Sequence, residues 1–106
     1  MKYNKLVRDK IHEIILQEGK KPVIHIADDE EYFSKLKEKL QEEVDEFLES
    51  NKAEELVDIL EVIYALGEHQ EISFQELEEL RREKAMKRGA FKKKIILEKV
   101  EEKWKK

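Results

Sequence analysis

Cysteine is missing from this 106-residue chain, and it has only one proline and three glycines. The first absence excludes disulfides and thiolate metal sites, though it does not fix a compartment. The scarcity of proline and glycine removes the usual interruptions of helix and turn, and aromatic residues make up only 8% of the chain. No apolar run approaches the roughly 20 residues that span a bilayer, and the N-terminus has no signal-peptide core. A soluble, cytoplasmic, single-domain protein covering residues 1–106 is therefore the expectation.

Charge is what the chain has in quantity. Asp, Glu, Lys and Arg account for 45% of residues, yet the net charge is only −4, which argues against a binder of polymeric nucleic acid. The apolar residues keep a helical period through this charge, so the chain reads as helix-rich rather than disordered. The charge is also uneven. Lys84, Lys87, Arg88, Lys92, Lys93 and Lys94 form a basic block that suits a phosphorylated small molecule or, equally, a solvated polar face.

The stretch from Lys35 to Leu66 reads as two helices joined by a tight turn at Ser50 and Asn51. Asn51 is expected to cap the second helix, with Glu54 completing a capping box. So short a turn implies an antiparallel hairpin. At about 100° per residue, Phe33, Leu36, Leu40, Val44 and Phe47 form one apolar stripe, and Leu56, Ile59, Ile63 and Leu66 the stripe expected to face it.

Two acidic pairs at i, i+3 spacing flank the turn: Glu43 with Glu46, and Glu55 with Asp58. Such pairs are common in an acidic chain and usually mark solvated helix faces. These two are symmetric about the turn, however, and they border the apolar stripes, so all four carboxylates can meet at one level of the hairpin. Like charges gathered in a partly buried place must take up protons or a cation. An oxygen-seeking ion, Mg²⁺ or Mn²⁺, suits them, which makes Glu43, Glu46, Glu55 and Asp58 candidate metal ligands.

Elsewhere the pattern predicts a helix from Tyr3 to about Glu18, stopped by Gly19. Pro22 to Ala27 reads as a short extended segment that can pair with Ile95, Ile96 and Leu97 in a small two-stranded ribbon. Asp28 and Asp29 can cap the long acidic helix, Gly67 is expected to close the next one, and Ser73 to Glu76 is a capping box opening a helix that ends near Arg88, before Gly89. His12, His25 and His69 have no obvious ligand partners. Trp104 and Phe74 read as core or interface aromatics, whereas Tyr64 lies near the acidic hairpin. The fold class is thus all-α, a hairpin-based bundle of about four helices.

The series Lys39-Leu-Gln-Glu42-Glu43-Val-Asp-Glu46, followed by Glu55-Leu-Val-Asp58, resembles the EExxE…ExxD motif of the all-α nucleoside triphosphate pyrophosphohydrolases, the MazG-like superfamily. The opening KLVRDKIHEII and the later KRGAFKKKIIL look like the flanks of small members labelled phosphoribosyl-ATP pyrophosphohydrolase-like. The eight residues between Glu46 and Glu55 make a shorter interval than is common there, and His12 stands where close relatives have proline. The resemblance implies Mg²⁺-dependent hydrolysis of a nucleotide between its α and β phosphates. Glu42 would orient or deprotonate the attacking water, and Arg8, Lys39, Lys87 and Arg88 would contact phosphate. Arg8 is the strongest of these, because a guanidinium reads phosphate bidentately. The rivals are a phosphoribosyl-ATP pyrophosphohydrolase of histidine synthesis and a non-enzymatic helical interaction module.

The helix from Lys52 to Leu66 is apolar on two sides, with Leu56, Ile59 and Ile63 on one and Val57, Leu60 and Tyr64 on the other. A helix apolar on two sides is usually buried on both, so a homodimer or higher homo-oligomer is expected.

Overall fold

Asp28 sets the start of the longest helix. Its backbone is extended and its carboxylate accepts the Glu31 N–H at 2.8 Å, as expected of a capping residue. In the computed structural model, which describes residues 3–102, the elements are α1 (Ile11–Gln17), α2 (Asp29–Ser50), α3 (Ala53–His69) and α4 (Phe74–Arg88). Trp104 lies outside the described residues. The architecture is all-α with four helices, and no strand occurs among the described residues.

The expected ribbon is therefore absent there. Val23, Ile26, Ile95, Ile96 and Leu97 are all strongly exposed, and two strands with no buried apolar face are marginal in water. None of the described helices is long and apolar enough to cross a membrane.

The turn between α2 and α3 is short, but its chemistry differs from the expectation. Asn51 does not cap α3. It closes α2 in the left-handed conformation (φ 60°), its N–H reaching the Phe47 carbonyl at 2.7 Å. Lys52 takes the N-cap position of α3 without a side-chain cap, while the Ser50 hydroxyl accepts the Lys52 N–H at 3.2 Å. Asparagine tolerates the left-handed region better than most residues, so here it serves the C-terminus of one helix in place of the N-terminus of the next.

Gly67 likewise fails to end α3 and is buried inside it. The stop comes at Glu71 (φ 62°), where Glu71 N–H bonds to the Glu68 carbonyl and Ile72 N–H to that of Gly67. This is a Schellman closure with glutamate in the position glycine usually holds. Gly19 (φ 78°) performs the same closure for α1, as expected. That helix begins only at Ile11, because residues 3–10 form an irregular arm.

The chain divides into two compact units, Met1–Phe74 and Gln75–Lys106. In the first, α2 packs on α3 and no other helix pair packs extensively. Leu36 and Val62 are the buried apolar residues among those described. The seam of α3 is Ile59, Val62 and Leu66, continued toward the turn by Asp58 and Glu55. The expected stripe through Leu56 and Ile63 is rotated outward: Leu56 is 49% and Ile63 37% exposed. A helix apolar all round gives no periodic signal for which side docks. The second unit carries most of α4, where Glu78 pairs with Arg81 at 2.6 Å and Arg82 at 3.5 Å, and Gly89 (φ 83°) ends the helix.

Replacing Asn51 with alanine should destabilise the hairpin by about 1 kcal/mol, the typical cost of a left-handed Cβ residue, whereas Asn51→Gly should be neutral or stabilising. Thermal melts of the two variants check this. Equal loss in both would show that the Asn51 side chain, and not its backbone conformation, matters.

Candidate metal centre

Three of the four expected ligands converge. Glu43 on α2 and Glu55 and Asp58 on α3 each offer a carboxylate oxygen, and the three oxygens lie within 4.8 Å of one another. The antiparallel hairpin brings them to one level, since Glu43 lies seven residues before Ser50, and Glu55 and Asp58 occupy the first two turns of α3. The arrangement is uneven in depth. Glu43 is only 6% exposed, whereas Glu55 and Asp58 are half-buried.

Glu43 is the unusual member. Its Oε1 lies 3.3 Å from Lys39 Nζ, but its buried Oε2 has no hydrogen-bond partner. Burial pushes its carboxyl above the ordinary range, and the neighbouring Glu46 carboxylate adds to this, with Lys39 opposing. Glu46 itself is exposed, at the rim beside Glu43 and outside the converging trio. It lies further round the helix than Glu43, so symmetry about the turn in sequence did not become symmetry in depth.

Cations from the N-terminal arm and from α2 surround the acids. Arg8 Nη2 donates to Asp58 Oδ1 at 2.6 Å. Lys5 Nζ donates to Glu42 Oε1 at 2.9 Å, and Lys39 lies 3.5 Å from the other Glu42 oxygen. Lys5 holds Glu42 below the usual carboxylate range, partly offset by burial. The same contact raises Lys5. Glu55 and Glu46 have no cation within ion-pair distance among the described residues. Lys5 belongs to the N-terminal basic group that the family resemblance implies for phosphate contact, with Arg8 the residue favoured there, but its pairing with Glu42 was not foreseen. Nothing local in the sequence marks that partner, which lies 37 residues away.

Lys87 and Arg88 belong to the second unit, where they line a shallow groove on α4 with Leu80, Glu83 and Lys84. Tyr64 packs edge-on against Phe74, with centroids 4.9 Å apart. His69 stacks on Phe33 at 4.8 Å and His25 pairs with Glu31 at 3.0 Å, so neither joins the acidic trio.

The donor set fits a hard divalent cation. All three converging donors are carboxylate oxygens, and Glu43 presents an orphaned buried one, which a cation would satisfy. No family model, no curated protein and no solved structure matches the chain.

The raised Glu43 carboxyl has a sign. A folded-state value above the unfolded one stabilises the protein below the ordinary carboxylate range, and that stability is lost as pH rises through the folded value. At neutral pH the ionised group therefore costs stability unless a cation offsets it. Glu43→Gln should raise the melting midpoint of the metal-free protein by about 2 to 4 °C and should shrink the further rise that millimolar Mg²⁺ gives the natural chain. A lower metal-free midpoint in the variant would contradict this account of Glu43.

Proposed function

We propose that this protein is a Mg²⁺-dependent nucleotide pyrophosphohydrolase, with Mn²⁺ the alternative ion. It would cleave nucleoside triphosphates, or a related nucleotide, between the α and β phosphates to give monophosphate and pyrophosphate. The observation that carries this reading is the convergence of Glu43, Glu55 and Asp58, with one oxygen of Glu43 buried and unpartnered, within a sequence whose acids resemble the motif of the MazG-like superfamily.

Glu43, Glu55 and Asp58 would hold the ion, with Glu46 at the rim as a fourth ligand. When bound, the ion neutralises charge on phosphate oxygens and lowers the pKa of the attacking water. Glu42 accepts from lysine and is held low, which keeps it ionised and weakens it as a base. Its part is thus to orient the water by accepting a hydrogen bond more than to remove a proton. Arg8 and Lys39 stand at the acids and would meet phosphate oxygens of the substrate. Lys87 and Arg88 make a basic patch within the second unit, whose charge suits a phosphorylated molecule. Sequence offers no serine, cysteine or histidine arrangement for a covalent nucleophile, which favours direct attack by water.

Two copies would associate through α3. Leu56, Val57, Leu60 and Ile63 are 37–61% exposed, while few apolar residues are buried within the first unit. A second copy offering the same face would cover them in an isologous contact.

With Mg²⁺ present, pyrophosphate release is expected from at least one member of a nucleotide panel. Asp58→Asn and Glu46→Gln should each cut turnover by roughly a hundredfold or more while circular dichroism stays near that of the natural chain. Full activity in both variants would move the site elsewhere. Light scattering at micromolar concentration should give at least twice the 12.8 kDa chain mass, and Leu60→Glu should return the single-chain value. A monomer in the natural protein would refute the interface.

A further inference from the structure

The arm of residues 3–10 reaches the first unit's hairpin largely through polar contacts. Lys35 Nζ donates to the Asn4 carbonyl at 2.9 Å, Lys5 to Glu42 at 2.9 Å and Arg8 to Asp58 at 2.6 Å. Leu6 is the half-buried apolar residue between them, and Tyr3 and Val7 are exposed. Two of these three contacts end on acids of the candidate centre or beside it. Arg8 is the sharper case, because Asp58 is one of the three converging carboxylates.

We propose that Arg8 is a built-in competitor for the metal site, a positioning residue that neutralises Asp58 until a divalent cation binds and is displaced when it does. The proposal rests on the metal-binding reading above. Its physical basis is that one Asp58 carboxylate cannot serve a guanidinium and a divalent cation equally well. A cation held among Glu43, Glu55 and Asp58 would place two positive charges within a few ångströms of a third, and that repulsion falls on the partner with the weaker hold. Arg8 is that partner, since its side chain is 53% exposed and carries only this ion pair among the described residues. Displacement leaves the guanidinium free of carboxylates beside the site, which is where a phosphate would need it. By linkage, whatever the cation does to the arm the arm does to the cation: Arg8 must weaken cation binding by the same factor that the cation weakens the Arg8 contact.

The test is calorimetric titration of Mn²⁺ into the full-length natural chain, Arg8→Gln and Lys10→Gln at one ionic strength. Lys10→Gln removes a charge from the same arm without touching the acids, so it measures the general electrostatic effect. A parallel nuclear magnetic resonance titration with Mg²⁺ follows the Arg8 guanidinium N–H. The expected result is binding to all three proteins, about two- to fivefold tighter in Arg8→Gln, the range an exposed ion pair supports. Lys10→Gln should stay close to the natural chain, and the Arg8 N–H signal should move toward that of free arginine as Mg²⁺ saturates. Equal or weaker binding by Arg8→Gln, an equal gain in Lys10→Gln, or an unmoved Arg8 signal would overturn the competition while leaving the metal site standing. No heat with any of the three proteins would instead remove the site itself, and the competition with it.

Discussion

Burying one carboxylate among others is the constraint around which the first unit is arranged. Glu43 faces Glu55 and Asp58 across the hairpin, with their oxygens within 4.8 Å. Two unit charges at that separation repel by about 3 kcal/mol at an effective dielectric of about 20, before solvent screening. An exposed ion pair such as Arg8–Asp58 returns only about 0.2 to 1 kcal/mol, so Arg8 reduces this cost without cancelling it, and Lys39 opposes it from the more buried side. A hairpin selected for stability alone would place an apolar residue at Glu43. Retaining an acid there, with one oxygen unsatisfied, is the kind of local conflict that marks a functional place.

The rest of the first unit follows from holding that acid in position. Asp28 and Asn51 fix the two ends of α2, and the short turn fixes the level at which α3 returns. The seam residues Leu36, Ile59, Val62 and Leu66 keep the helices close enough for acids on both to meet. Among the described residues, five carboxylates, Glu42, Glu43, Glu46, Glu55 and Asp58, then gather near three cations, Lys5, Arg8 and Lys39. The remaining two negative charges equal the charge of one divalent ion.

The hairpin and its acids were legible because they obey local rules. Helical period, the capping aspartate and the spacing of Glu43, Glu55 and Asp58 are all carried within a few residues of each position. What could not be read depends on three-dimensional choices. Asn51 could cap the helix after it or close the one before it, and both are chemically natural for asparagine. The docking side of α3 was hidden by apolar residues all round that helix, so Val62 rather than Ile63 is in the core. Glu46 sits at the rim because sequence symmetry ignores rotation about the helix axis. The apolar residues of Pro22 to Ala27 satisfied strand composition, but with no face to bury they form no ladder among the described residues.

The most direct test of this account is anomalous diffraction from crystals of the protein grown or soaked with Mn²⁺. The account predicts an anomalous peak bounded by the Glu43, Glu55 and Asp58 carboxylates, within about 2.0 to 2.4 Å of oxygens from at least two of them. Crystals saturated with Mn²⁺ that show no peak there, or a peak only elsewhere on the acidic surface, would contradict it.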